Sequence, residues 1–317
     1  MRASRAVLLL THSADHYTID RVEAGVARRG AQPIRLDTDR FPSHYQLTTR
    51  AGAGMSLRLR AGGHDLPVER IASVWLRRVY GPPRPSDLSD LEAEACIRES
   101  RAALDGFLGA LHADWLDPLP RVRAAEDKLT QLREAERAGL HVPPTIVTND
   151  PDEVRRLWEA CAGQLVTKML TPIARSMGPA PAVYTHTLSA DDLDDLDGLA
   201  LAPMVFQQRV DKLRELRVVY VAGRCFVGSL EARGDDWRRL TEDAPPWQID
   251  RLPDDVAARL DALMRALGLR FGVADLLAAR DGSHAFLEVN PVGEWGMLER
   301  DLGLPIGAAL AEELLAS

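Results

Sequence analysis

The stretch Phe286-Leu-Glu-Val-Asn-Pro-Val-Gly293 decides how the rest of this sequence is read. It closes an apolar run, residues 284–290, that follows another at 271–278. Between them stands Asp281-Gly282, the dipeptide best suited to a two-residue hairpin turn, because both central residues there need positive φ. With that turn Arg280 faces Ser283, and counting back sets Asp275 opposite Glu288. Side chains opposed across an antiparallel pair sit roughly 5 Å apart at Cβ, and Asn290 shares the face by the period-two rule. Two carboxylates and an amide oxygen therefore converge. Like charges so close repel unless a cation lies between them. Oxygen-only ligation suits magnesium that keeps waters and substrate phosphates in its shell, which reads as a metal site for a nucleotide. The residues alone leave a second reading open, a hairpin whose Asp and Glu face only water. Pro291 and Gly293 favour the first, because they turn the chain away and leave the acidic end open.

A chain of 317 residues exceeds what one core usually supports, so two or three domains are expected. A hydrophobic content of 46% with ordinary charge density describes a globular chain. The formal charge of −8 argues against non-specific nucleic-acid binding, which needs a basic surface to displace counterions. Cys96, Cys161 and Cys225 are odd in number and scattered, so neither a disulfide framework nor a zinc site is indicated; buried small hydrophobes in a reducing compartment are expected. Residues 6–10 are apolar behind Arg2 and Arg5, too short a run for a signal peptide. No run approaches the roughly 18 apolar residues of a membrane span. A cytoplasmic protein with no membrane or nucleic-acid partner is the expectation.

Residues 6–10, 17–29 and 33–37 read as strand, helix and strand, the signature of a parallel βαβ unit. A hairpin follows around Gly62-Gly63, then a strand at 71–77, a Pro-rich loop at 81–85 and a long helix at 91–112. A second unit opens near Arg121 with one helix reaching Ala138. It continues with a strand at 145–147, a helix at 152–161 capped by Asn149 or Asp150, a short strand at 165–169 and a Pro/Gly-containing loop at 171–181. Strands at 204–210, 216–222 and 225–231 begin the third unit. The stripe Val256, Leu260, Leu263, Met264, Leu267 there marks a helix that Gly268 ends. The acidic run 191–197 reads as a solvated helix face. The fold class is α/β (α+β), divided at 1–120, 121–201 and 202–317.

FLEVNPVGEW resembles the C-terminal metal motif of ATP-grasp ligases. Further segments resemble one branch of them. They are Val74-Trp-Leu-Arg-Arg78, Lys128-Leu-Thr-Gln-Leu-Arg-Glu134, Val142-Pro-Pro-Thr-Ile-Val-Thr-Asn149, Phe206-Gln-Gln-Arg-Val-Asp-Lys212, Glu215-Leu-Arg217 and Asp236-Trp-Arg238. The branch is the graspetide synthetases, microviridin-type macrocyclases that cross-link side chains of ribosomally made precursor peptides. The resemblance runs in the family's order over nearly the whole chain. It implies an ATP-grasp fold with an N-terminal βαβ pre-ATP-grasp domain, a central domain and a C-terminal antiparallel-sheet domain carrying the metal site. It also implies ATP and Mg2+ as cofactors, a leader-plus-core precursor as partner, and a homodimer by family habit.

The resemblance assigns residues as well. Asp275, Glu288 and Asn290 would hold the metal. Lys128, Lys168, Ser176, Gln207, Gln208, Val210 and Arg217 would bind ATP, the hinge residues through their backbone to adenine. Lys168, Arg217 and Arg78 would supply catalytic positive charge, and Arg77, Arg78, Glu215, Asp236, Trp237 and Arg238 would meet the peptide. From the residues themselves, Lys168 ends a strand before a Gly/Pro-containing loop, and Glu215 and Arg217 share a strand face. Lys128, in a helix full of charged residues, reads from the residues alone as solvated. Arg77 and Arg78 are adjacent on a strand, so one must point away from the site. Glu294 and Val292 depart from the glutamine and the polar residue common in the family, away from the ligand positions. Three functions are weighed: a ligase that activates Asp or Glu side chains of a peptide, a carboxylate-amine ligase acting on free amino acids or a protein tail, and a nucleotide-binding regulator without turnover. The intact acidic trio argues against the last.

Overall fold

The structure, a computed structural model, describes residues 5–52, 54–170, 185–234 and 245–316. β1 (Ala6–Thr11) and β2 (Gln32–Asp37) pair in parallel across α1 (Tyr17–Arg28), as the alternation predicts. Every residue of β1 is buried, which is why its run shows no alternation: a parallel strand is covered on both faces. A small antiparallel sheet follows, β3 (Gln46–Arg50), β4 (Ser56–Ala61) and β5 (His64–Pro67). β6 (Ile71–Leu76) then pairs with the free side of β1, and β7 (Asp114–Leu116) completes the order β2-β1-β6-β7. Between them α2 (Asp90–Gly109) starts at a capping box made by Ser89 and Glu92.

The single helix expected from Arg121 to Ala138 is two, α3 (Leu119–Ala125) and α4 (Lys128–Arg137). Asp127 accepts a hydrogen bond from the Thr130 N–H and caps a fresh start, which restores the orphaned donors of a new helix. β8 (Thr145–Thr148), α5 (Pro151–Ala160), β9 (Leu165–Lys168), β10 (His186–Thr187) and β11 (Met204–Gln208) build a sheet in the order β10-β9-β11-β8. The acidic run is not the helix the sequence suggests. It forms two 3-10 turns, Asp191–Leu193 and Asp197–Ala200, and buries Leu196 between them.

The largest sheet is antiparallel, in the order β14-β13-β12-β15-β16. Its strands are β12 (Lys212–Val221), β13 (Arg224–Glu231), β14 (Gln248–Asp250), β15 (Phe271–Ala279) and β16 (His284–Asn290). One face, with Leu216, Val218, Ala274, Leu276, Phe286 and Val289, packs on α4 and on the helix Asp254–Ala266. The other face is divided along its length. Val219, Val221, Phe271 and Val273 share a core with Val7, Leu9, Trp75 and Leu116 of the parallel sheet, and Trp75 meets Phe271 edge-to-face at 6.4 Å. The remaining part of that face carries Glu215, Arg217, Asp275 and Glu288, because the period of two continues past the apolar contact.

The β15–β16 hairpin reaches the expected pairing by a different route. Its loop has three residues, Arg280, Asp281 and Gly282, closed by the Ala279 N–H donating to the Ser283 carbonyl, and only Gly282 takes positive φ, at 87°. Arg280 therefore does not face Ser283. The one-residue offset is cancelled by a bulge between Asp275 and Leu276, where Leu276 pairs with Phe286 but Asp275 pairs with Glu288. Leu287 is the extra residue.

Burial separates the three cysteines. Cys161 is buried and Cys225 half-buried, its thiol pushed up to about 11 by burial, whereas Cys96 is exposed on α2. Among the described residues no helix is long and apolar enough to cross a membrane.

Candidate nucleotide and metal site

Asp275 faces Glu288, and Asn290 lies two residues further along β16 on the same side. Each carboxylate has a cation against it. Arg217, opposite Asp275 on β12, donates from Nη1 to Oδ1 at 3.0 Å, and Lys128 Nζ stands 2.7 Å from Glu288 Oε2. Opposite charges at this separation offset the repulsion that two facing carboxylates would otherwise suffer. Lys128 is thus not a solvated helix residue.

Its placement comes from a residue the sequence reading missed. Gln131, only 1% exposed, accepts from the Val289 N–H at 2.9 Å and donates to the Val289 carbonyl at 2.7 Å and to the Ala125 carbonyl at 2.6 Å. This amide clamps α4 to β16 between Glu288 and Asn290, and Lys128, three residues earlier, lies on the same helix face. The available signal was a polar amide in phase with Ala135, which is fully buried.

Lys128 and Lys168 line a small cleft together with Met169, Val205, Gln207, Leu287 and Glu288. The bulge explains why two consecutive residues, Leu287 and Glu288, both reach it, one supplying apolar surface and the other charge. Lys168 donates to Gln207 Oε1 at 3.2 Å, and Gln207 in turn donates to Thr145 Oγ1 at 2.8 Å. Gln207 therefore enters the site through its side chain. β11 pairs on both edges, and the Gln208 N–H donates to the Pro144 carbonyl at 2.8 Å, so this backbone is engaged in the sheet. Val210 lies past the end of β11 and is half-buried. Glu215 shares the face of Arg217 and pairs with Lys212 at 2.8 Å. Ser176 and the segment Asp236, Trp237, Arg238 lie outside the described residues.

The paired arginines separate as adjacent strand residues must. Arg77 is 1% exposed, and the expectation that it meets a peptide gives way, because its donors are spent inside the protein. They go to Thr18 Oγ1 at 3.2 Å, to the Val292 carbonyl at 2.8 Å and to the Glu294 carboxylate. Burial lowers the Arg77 pKa from its usual value, and the charge of Glu294 is the largest opposing influence. Asp15, 3.7 Å away, would be raised by burial, but Thr11, Arg77 and Thr18 together hold it below its ordinary range. Arg78 keeps 34% of its side chain exposed, 3.5 Å from Glu294.

The donor set fits magnesium: two carboxylates and an amide offer oxygen, beside the cations Lys128 and Arg217. Among the described residues no three or more His, Cys, Asp or Glu side chains form a metal group; the third oxygen on the face of the two carboxylates is the Asn290 amide. Its Oδ1 accepts from the Val292 N–H at 3.3 Å, which orients the side chain.

Residues 6–123 match the MvdD pre-ATP grasp domain. The whole chain is similar to macrocyclase MdnB from Microcystis aeruginosa MRC, with 44% identity over 99% of this chain and 100% of that one and a TM-score of 0.84. Macrocyclase MdnC from Microcystis aeruginosa MRC, solved with precursor peptide MdnA, shows 31% identity over 98% of this chain and 100% of that one, with a TM-score of 0.87. A Chryseobacterium gregarium RiPP-associated ATP-grasp ligase, solved with ADP and a leader and core peptide, shows 28% identity over 98% and 97%, with a TM-score of 0.90. With the acidic pair, its two counter-cations and the cleft in place, and with this identity over the full length, the chain belongs to the microviridin-type macrocyclases of the ATP-grasp ligases.

Proposed function

We propose that this chain is an ATP-dependent macrocyclase that cross-links side chains of a ribosomal precursor peptide. The observation that carries the reading is Glu288, paired with Asp275 across the hairpin and lining a cleft with two lysines, in a chain 44% identical to a macrocyclase. A peptide carboxylate is a poor acyl donor. Its oxygen attacks the γ-phosphorus of ATP, the bond to the bridging oxygen breaks, and ADP leaves with that electron pair. A Ser or Thr hydroxyl, or a Lys amine, then attacks the acyl carbon, the C–O bond to phosphate breaks, and the nucleophile loses its proton as an ester or amide forms. The first step brings an anion to a polyanion, so fixed positive charge lowers its barrier. Lys128, Lys168 and Arg217 supply that charge. Asp275, Glu288 and Asn290 would hold Mg2+, which when bound neutralises phosphate charge and orients the nucleotide. Val210 and the side chain of Gln207 would border the base, Ser176 the phosphates. Arg78, the partly exposed arginine, suits a substrate carboxylate, with Glu215 and the segment 236–238 on the peptide side. A homodimer in the cytoplasm completes the proposal.

The test incubates the purified chain with ATP, Mg2+ and short acidic peptides bearing Ser, Thr or Lys. Peptide-dependent ADP release with a product one water lighter per closure supports the proposal. Hydrolysis driven by free amino acids would transfer it to a carboxylate-amine ligase, and no turnover with any acceptor to a nucleotide-binding regulator.

A further inference from the structure

Arg217 makes a second contact that its role opposite Asp275 does not require. Its Nε and Nη2 both donate to the backbone carbonyl of Glu294, at 2.9 and 2.7 Å, while Nη1 holds Asp275. The guanidinium is therefore fixed at two points, one of them the tail that leaves β16. That tail is itself gripped from the other side. Arg77 binds the Val292 carbonyl and the Glu294 carboxylate, and the second carboxylate oxygen of Glu294 accepts from the Trp295 and Gly296 N–H groups at 3.1 and 2.9 Å. The backbone at Gly293 runs so close to β15 that a Cβ there would meet Val273 Cβ at 2.5 Å. Asp15, Arg77, Glu294, Arg217 and Asp275 thus form one connected line from the end of the parallel sheet to the metal-facing carboxylate.

We infer that Glu294 is a positioning residue: its side chain, held by Arg77, fixes the carbonyl that orients Arg217 and so sets Asp275 toward the metal. The inference rests on the nucleotide reading of the cleft. Glu294 touches no substrate in this role, and Arg77 acts only through it.

The test follows ADP binding to the full chain by calorimetry across a Mg2+ titration, with the melting midpoint of each variant as a check on folding. Glu294→Ala is expected to raise the Mg2+ concentration for half-maximal ADP binding about tenfold and to lower peptide-dependent kcat on the order of 10²-fold, the usual effect of a misplaced group. ADP affinity without metal stays within about twofold, since only the metal-facing geometry changes. Glu294→Gln keeps an acceptor for the helix N–H groups and recovers part of the loss. Should Glu294→Ala be too unstable to assay, the paired Arg77→Met/Glu294→Met variant removes the buried arginine together with its half-exposed partner. It is expected to regain part of the melting midpoint, Asp15 having lost its cation, without regaining the Mg2+ response. A wild-type Mg2+ response in either folded variant overturns the inference. The readout needs no precursor, so a wrong peptide assignment leaves it intact, whereas a wild-type chain that fails to bind MgADP overturns the cleft reading and this inference with it.

Discussion

The parallel sheet and the large antiparallel sheet carry their chemistry in different places. In the first, β1 is buried along its whole length, and the polar residues Thr11, Asp15, Arg77 and Arg78 gather where β1 and β6 end. In the second, polar residues occupy alternate positions on a face, so Arg217, Asp275 and Glu288 line up across three strands. A parallel sheet covered on both sides has no face to offer, and its functional groups must wait for the strand ends. The antiparallel sheet has a face to spare, part of it docked on the first sheet and part carrying Arg217, Asp275 and Glu288. Loss of the buried charge at the end of the parallel sheet should therefore act on stability, and loss of charge on the antiparallel face on turnover.

The sharpest way to break this contrast is Glu288→Gln. It should lower peptide-dependent kcat at least about 10³-fold, roughly 4 kcal/mol of barrier, while urea unfolding shows stability within about 1 kcal/mol of wild type, since the pair with Lys128 is partly solvated. Arg77→Ala is the counterpart in the parallel sheet. It strands the buried Asp15 and empties the space of a fully buried side chain, and should cost about 3–5 kcal/mol in the same unfolding assay. A stable Arg77→Ala protein would erase the distinction. A smaller effect is expected at the bulge. Leu287→Ala keeps Glu288 in register and removes only apolar surface, so KM for ATP should rise roughly tenfold with kcat nearly unchanged; an equal fall in kcat would mean that the bulge sets the metal ligand as well.

The smallest expected effect is at His12, which follows β1 and meets Tyr80 edge-on at 4.5 Å. Burial is the main cause that lowers its pKa from 6.5, with Arg78 and Arg77 adding and Asp15 and Asp39 opposing. The folded protein thus binds this proton less readily than the unfolded chain. The stability tied to neutral His12 is complete above pH 6.5 and is lost as pH falls through the lowered folded value. His12→Phe should flatten the acid-side slope of the melting midpoint, and an unchanged slope would remove His12 from the comparison.

The sequence by itself determined the parts governed by local periodicity: the βαβ start, the antiparallel strands and the facing of Asp275 and Glu288. The pairing of those two carboxylates survived even though the turn did not, because a three-residue loop and a bulge shift the register in opposite senses and cancel. Resemblance supplied the lysines, whose helix and strand positions carry no signature of their own. Only the tertiary structure decided that Arg77 lies inside and Arg78 outside, that Lys128 meets Glu288, and that Gln131 holds them in place. These depend on which side chains from distant segments fill the same space. Sequence spacing reports the direction a side chain leaves its own backbone and contains no record of what another segment brings to meet it.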